Sequence, residues 1–147
     1  DGIRDRSPSR GLGDVYKRQV RYRAGGIVQE ALAGMPAVFE IGIPALHEAE
    51  RLGFSQRDRL FLLMARLMQT VEDTTALRRC GRAGLIRLQR DGAQLEILLL
   101  NSSDPLIFLM AANRRYRRQR LTMGGVADLL AISVAWGLVE SKLGFEV

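Results

Sequence analysis

One stretch near the end of the chain combines residue types that could bind a phosphate group. Two adjacent glycines, Gly124 and Gly125, precede an apolar run that a single carboxylate, Asp128, interrupts. Thr122 is predicted to cap the helix that starts here, because its hydroxyl can accept a hydrogen bond from a first-turn amide. The glycines leave the backbone bare, so an anion could approach those amides and the positive end of the helix dipole. Asp128, about one turn further on, could hold a metal ion that bridges to the phosphate.

A second polar cluster lies upstream, where Glu72 and Asp73 follow an apolar run and precede Arg78 and Arg79. Acidic residues at the C-terminal end of a buried helix are electrostatically unfavourable, because the helix dipole already presents partial negative charge there. Binding of a divalent cation with phosphate oxygens would explain both carboxylates. Either arginine could add a bidentate contact to phosphate.

Each cluster also has a purely structural interpretation. The paired glycines would permit close packing at a helix start, and Asp73 or Thr74 would cap the next short helix. Capping needs only one of these side chains, which leaves Glu72 without an assigned role. The residues alone keep both interpretations open.

Composition limits the classes of function. The chain has 147 residues, of which 47% are hydrophobic, and a formal net charge of +6 that suits anionic ligands without choosing among them. Its single cysteine, Cys80, excludes an internal disulfide, and together with the single histidine, His47, gives no zinc-binding pattern. No apolar run reaches the roughly 18–20 residues of a membrane span. We therefore expect a cytoplasmic protein without membrane association.

The apolar spacing from Val20 onward is helical, which predicts an all-α bundle of about six helices. Pro44 is expected to kink or split one helix, and Ser55 is expected to cap a helix that is among the most apolar and would occupy the centre of the bundle. Gly92 is a predicted weak point. The predicted helices cover about 27–34, 36–52, 56–71, 82–100, 106–120 and 122–143, with a short helix after Asp73.

The segment Arg114–Arg120 is strongly basic and suggests an alternative function. It could serve a helical module that binds a nucleic acid or a protein partner. Only Tyr116 interrupts the arginines and no recognition motif accompanies them, while arginines also suit the C-terminal end of a helix. Nucleic-acid binding is therefore not the favoured interpretation.

Residues 1–19 differ from the rest of the chain. They are dense in charge, Gly, Ser and Pro, and show neither helical nor strand periodicity. This segment resembles translated sequencing-adapter DNA at the edge of a metagenomic read, and a native basic tail is the alternative. We exclude it from fold reasoning, so that residues 20–147 are expected to be part of a longer domain.

Three motifs, in order, resemble the C-terminal half of triphosphoribosyl-dephospho-CoA synthases. Glu30-Ala31 followed by Gly34-Met35-Pro36 is similar to the family's E-A-x-x-G-F-P stretch. The second and third motifs correspond to the family's D-T-N-x-L-x-R-x-G and S-P-G-G-S-A-D-L-L-A patterns. The matching positions are Asp73, Thr74, Leu77, Arg79 and Gly81, then Gly124, Gly125, Ala127, Asp128, Leu129, Leu130 and Ala131.

The resemblance implies a transferase whose substrates are ATP and 3′-dephospho-CoA. Such an enzyme transfers the triphosphoribosyl group to a ribose 2′-hydroxyl, releases adenine, and makes the prosthetic-group precursor for citrate lyase or malonate decarboxylase. Mg²⁺ would be held by Asp73 and Asp128, with Glu72 as an outer candidate. Phosphate would be held by Arg79, Thr122, Gly124 and Gly125. The general base is expected in the half of the family that the motifs do not cover.

Overall fold

The computed structural model describes residues 26–144, so the predictions for residues 1–19 lie outside it. This part of the chain forms six α-helices and no strand. The prediction of an all-α bundle is confirmed. The helices are α1 (Gly26–Leu32), α2 (Ile43–Arg51), α3 (Gln56–Thr70), α4 (Thr74–Leu100), α5 (Leu106–Gln119) and α6 (Gly124–Leu143), and a π-helical segment, Ala37–Gly42, leads directly into α2.

Helix α3 is the central element, as its apolar sequence predicts. It packs against α2, α4, α6 and the π-helical segment, and Leu62, Leu63 and Leu67 are fully buried. Burial of each such side chain contributes about 1.5–3 kcal/mol relative to exposure. The predicted cap is present, since the Ser55 hydroxyl accepts a hydrogen bond from the Asp58 amide at 3.2 Å.

Gly92 marks the crossing of α3 and α4. A Cβ placed on Gly92 would lie 2.7 Å from the Met68 Cβ and 2.8 Å from the Ala65 carbonyl oxygen. The two backbones can approach this closely only because position 92 lacks a side chain. Gly92 is therefore a packing residue, and α4 continues through it without a break; its predicted weakening of the helix stays a prediction.

The interruption predicted at Pro44 takes the form of a widened helical turn. Proline has no backbone N–H and clashes with the preceding turn of a regular α-helix. The turn before it is π-helical, with the Ile43 amide donating to the Val38 carbonyl five residues earlier. Helix α2 then starts at Ile43 with proline in its first turn, where the missing donor costs little.

Helix α4 is bent at Gly81, which has φ 63° and ψ −164° inside the otherwise helical range. A positive φ favours glycine, because a Cβ is strained there. The bend separates a short first part, capped by Asp73, from a long second part. This agrees with the predicted short helix followed by a helix from about residue 82.

A charged network joins three helices. The Arg66 guanidinium on α3 donates to Glu48 on α2 at 2.6 Å and to Glu96 on α4 at 3.1 Å. Both carboxylates bond to the Arg66 guanidinium, so its partly buried charge is paired. The pairing lowers the pKa of Glu48, chiefly through the hydrogen bond from Arg66.

Within residues 26–144, no single helix is both long and apolar enough to cross a membrane. The two helical stretches before residue 52 reach that length and composition only as a pair bent by 88°.

Candidate functional site

The site is built around Asp73, whose carboxylate caps two helices at once. Its Oδ1 accepts hydrogen bonds from the Thr75 amide at 2.9 Å and the Ala76 amide at 3.0 Å, in the first turn of α4. Its Oδ2 accepts from the Val126 amide at 2.9 Å, in the first turn of α6. The side chain is fully buried. The positive ends of two helix dipoles thus converge on one buried negative charge, which they stabilise.

The paired glycines allow this convergence. A Cβ on Gly125 would lie 3.2 Å from the Asp73 Oδ2, and a Cβ on Gly124 would lie 3.0 Å from the Thr75 Oγ1. Side chains at either position would push the start of α6 away from the start of α4. The structure thus confirms close packing at the glycines, and their predicted contact to phosphate stays a prediction.

The prediction that Thr122 caps α6 is wrong. The cap position is Met123, with no side-chain hydrogen bond, and Thr122 is exposed. Asp73 supplies the missing cap from 53 residues earlier in the sequence, through the Val126 amide. A cap donated by a distant side chain leaves no local sequence signal, whereas Asp73 or Thr74 was expected to cap α4, and the structure selects Asp73.

A cavity of about 500 Å³ lies beside this junction. Its walls come from α1, the π-helical segment, the end of α3 and the starts of α4 and α6. Gly125, Thr74 and Glu72 from the predicted clusters line it. The other lining residues are Gly26, Ile27, Gln29, Glu30, Ala33, Pro36, Ala37, Glu40, Ile41, Gln69, Thr70, Val71, Gln89 and Leu129.

The cavity wall is acidic, with Glu30, Glu40 and Glu72 among its described residues and no lysine or arginine. This wall would repel a bare triphosphate, and Mg²⁺ would lessen the repulsion by neutralising part of the phosphate charge. Among the residues that the structure describes, no group of three or more His, Cys, Asp or Glu side chains could hold a metal ion alone. Mg²⁺ bound through phosphates needs only one or two carboxylates from the protein. The carboxylates of the wall are oxygen donors of the kind that Mg²⁺ prefers.

The structure separates the predicted site residues into an inner and an outer set. Glu72 and Gly125 line the cavity, and Asp73 lies directly behind Gly125. Asp128 and Arg79 are exposed and are not part of the cavity wall. Their predicted contacts to metal and phosphate remain predictions.

Of the two arginines that the sequence offers, Arg78 has the better position. It follows cavity-lining Thr74 by four residues within the first part of α4. Residues four apart share one face of a helix, so Arg78 is on the same face as Thr74, although neither Arg78 nor Arg79 lines the cavity. Arg78 is exposed and could reach phosphate oxygens at the cavity rim.

Sequence reasoning assigned no role to several polar residues of the wall. Glu30 accepts a hydrogen bond from the Ala37 amide at 3.1 Å, so it caps the helical stretch that starts after Pro36. Gln29, Gln69 and Gln89 add amide groups. The only sequence signal for these residues was that Glu30 lies in the first of the three motifs.

The basic run on α5 is divided between the interior and the surface. The Arg115 guanidinium donates to the Asp91 carboxylate at 3.1 and 3.2 Å, and the Tyr116 hydroxyl donates to the same carboxylate at 2.8 Å. Asp91 is buried. Burial, followed by the neighbouring Asp91, raises the pKa of Tyr116. Two members of the run thus join α5 to α4, and Arg114, Arg117, Arg118 and Arg120 stay exposed.

The family model and the curated relatives that match this chain point to the same family. A sequence model of the CitG family, described as ATP:dephospho-CoA triphosphoribosyl transferase, matches residues 2–147. No solved structure matches the chain significantly.

Curated relatives carry the name probable 2-(5''-triphosphoribosyl)-3'-dephosphocoenzyme-A synthase. One from Pseudomonas aeruginosa (strain UCBPP-PA14) is 35% identical over 130 residues, covering 84% of this chain and 43% of the relative. One from Pseudomonas paraeruginosa is 33% identical over 147 residues, covering 93% and 48%. One from Streptococcus equi subsp. zooepidemicus is 32% identical over 114 residues, covering 78% and 38%. The chain thus spans less than half the length of these relatives.

Proposed function

The chain belongs to the ATP:dephospho-CoA triphosphoribosyl transferase family, and on this basis we propose that it supplies the triphosphate-binding part of such an enzyme. The complete enzyme would transfer the triphosphoribosyl group of ATP to the ribose 2′-hydroxyl of 3′-dephospho-CoA and release adenine. The observation that carries the proposal is the cavity at the junction of α4 and α6, where two of the sequence motifs meet at Asp73.

The chemistry requires a triphosphate that is held rigidly while the glycosidic bond to adenine breaks. Positioning and electrostatic stabilisation provide much of the rate enhancement in such reactions. In this proposal Asp73 is a positioning residue, since it fixes the starts of α4 and α6 relative to each other. The first amides of a helix have no partner within the helix, so the Gly124 and Gly125 amides would be available to phosphate oxygens.

Glu72 is the proposed carboxylate for the magnesium ion of Mg-ATP. It lines the cavity directly before Asp73. Bound magnesium would neutralise phosphate charge and orient the triphosphate. Arg78 on the same face of α4 as Thr74, and Arg79 and Asp128 further out, would complete the contacts at the rim.

Calorimetric titration of the full chain with Mg-ATP tests this proposal, and a single-stranded oligonucleotide serves as the second titrant. We expect magnesium-dependent ATP binding that Glu72→Gln weakens about tenfold or more, equivalent to about 1.4 kcal/mol. Glu50→Gln is the matched control, because Glu50 is an exposed carboxylate outside the cavity wall that pairs with Arg59 at the surface. We expect it to bind like the parent chain.

Two results would count against the proposal. Absence of ATP binding would indicate that this chain does not contain the triphosphate site. Oligonucleotide binding that falls steeply with salt, without ATP binding, would favour the exposed arginines of α5 as a nucleic-acid surface.

A further inference from the structure

Unpaired arginines gather where the end of α5 meets the bend of α4. The Cys80 thiol donates to the Gln119 carbonyl oxygen at 3.3 Å, which joins segments 39 residues apart in the sequence. Four exposed arginines within two residues of this contact are here called the arginine cluster: Arg82, Arg117, Arg118 and Arg120. The fold thus brings cations from two separate segments to one place on the surface.

No carboxylate of the described residues balances this cluster. Within residues 26–144, none of its four arginines forms an ion pair. The arginines of α3 differ, since Arg57, Arg59 and Arg66 each pair with a carboxylate. The arginine cluster is therefore a local surplus of positive charge and not the ordinary pattern of this protein's surface.

The neighbouring sequence has no carboxylate to spare. Residues 78–91 and 114–120 contain ten arginines, no lysine and one carboxylate, Asp91. Arg115 and Tyr116 already bond to Asp91. The C-terminal end of α5 carries only about half a negative charge, which is too little to balance the cluster. A bound anion would relieve the remaining repulsion among these arginines.

The use of arginine indicates which anion fits. A planar guanidinium group bonds to two phosphate oxygens at once, and arginine is the usual residue for phosphate recognition. We propose that the arginine cluster binds the diphosphate group of a nucleotide, which in the proposed function is the acceptor 3′-dephospho-CoA. This inference rests on the proposed function and assigns a place to its second substrate, outside the cavity assigned to Mg-ATP.

The cluster lies close to the cavity along the chain. Thr74 lines the cavity at the start of α4, and Arg82 follows it in the same helix. Only three residues separate Arg120 from Gly124 at the start of α6, so the Cα atoms of these two residues are at most about 14 Å apart. The ribose of a nucleotide is attached directly to its diphosphate. A diphosphate at the cluster would therefore place the acceptor hydroxyl near the cavity.

The charges of the two places are complementary to their proposed ligands. The described wall of the cavity has glutamates and no lysine or arginine, so it would not hold a diphosphate that carries no metal. The arginine cluster needs no metal to do so. We therefore expect binding of 3′-dephospho-CoA without Mg²⁺, whereas ATP binding in the cavity requires it.

Calorimetric titration of the full chain with 3′-dephospho-CoA, in the absence of Mg²⁺, tests this inference. Inorganic pyrophosphate should compete with the ligand, and pantetheine should not. The double variant Arg82→Gln with Arg117→Gln should weaken binding about tenfold or more, because charged hydrogen bonds are lost. The matched control is Arg51→Gln with Arg57→Gln, which removes the same charge from exposed arginines on α2 and α3. We expect the control to bind like the parent chain.

Titration of the same variants with Mg-ATP separates this inference from the proposed function. We expect unchanged Mg-ATP affinity in the cluster variant, because neither substituted residue lines the cavity. Binding of 3′-dephospho-CoA without any binding of Mg-ATP would contradict the proposed cavity and support the cluster. Circular dichroism of each variant checks that it is folded.

Three results would overturn the inference. The first is absence of 3′-dephospho-CoA binding by the parent chain, whether or not Mg-ATP binds. The second is equal weakening in the cluster variant and the control, or displacement by pantetheine and not by pyrophosphate. The third is tighter binding of a single-stranded oligonucleotide, lost in the cluster variant, which would identify a nucleic-acid surface instead.

Discussion

The Asp73 carboxylate accepts a hydrogen bond from the Val126 amide at 2.9 Å and thereby joins two helix starts that lie 53 residues apart. The same carboxylate accepts two amides of its own helix. One buried side chain thus replaces two separate caps. The relative position of α4 and α6 depends on it.

Asp73→Asn should destabilise the protein by about 1–3 kcal/mol, the usual cost of leaving a buried polar group unsatisfied. The amide has one accepting oxygen where the carboxylate has two, so at least one backbone amide loses its partner. Urea denaturation followed by circular dichroism measures the change in the free energy of unfolding. Asp128→Asn is the matched control and should change stability by less than about 0.5 kcal/mol, because Asp128 is exposed. Equal losses in both variants would contradict the double-cap role.

Gly92→Ala should destabilise the protein by more than 1 kcal/mol, because the new methyl group would overlap the Met68 Cβ and the Ala65 carbonyl oxygen where α3 and α4 cross. Gly137→Ala is the control on α6. Its methyl group would lie 3.3 Å from the Leu46 Cδ1, the end of a flexible side chain, and alanine favours the helix by up to about 1 kcal/mol. Thermal unfolding should therefore show a lower Tm for the first variant and an equal or higher Tm for the second. A tolerated Gly92→Ala would contradict the close crossing.

Tyr116→Phe should make stability less dependent on pH in the alkaline range. Burial and Asp91 raise the pKa of the folded Tyr116 phenol above its ordinary value of 10.0. A raised pKa in the folded state contributes stability below the unfolded value and loses it as pH rises past that value. At about pH 8 the variant should be about 1–2 kcal/mol less stable than the parent, through the lost hydrogen bond to Asp91. At about pH 11 the difference should shrink, since the parent's unfolded phenol then ionises.

Urea denaturation at the two pH values measures this difference. Spectrophotometric titration of the phenols provides an independent check, because Tyr116 should resist ionisation until the protein unfolds. A difference that stays constant between the two pH values would contradict the perturbed pKa of Tyr116.

Periodicity and capping residues were sufficient to predict the helices of this protein. Helical apolar spacing identified the all-α class and the central position of α3, because a helix that is apolar on most sides must be surrounded. Ser55 and Asp73 marked helix starts, since their short polar side chains bond to first-turn amides within the same segment. These effects act within one segment of the chain, so the sequence of that segment is enough to predict them.

The sequence could identify the residues around the candidate site but not what each one contacts. Paired glycines are compatible with an approaching phosphate and with an approaching helix, because both need a bare backbone. Only the tertiary structure revealed the packing role, by placing the Asp73 carboxylate against Gly125, and phosphate binding by the same amides stays a prediction. The failure of Thr122 as a cap has the same cause, since a distant side chain satisfied the first turn of α6. Likewise, the sequence places Arg115 and Tyr116 in a basic run, and only the tertiary structure shows that both bond to Asp91. Contacts between residues far apart in the chain depend on how the helices pack, and no local pattern encodes that packing.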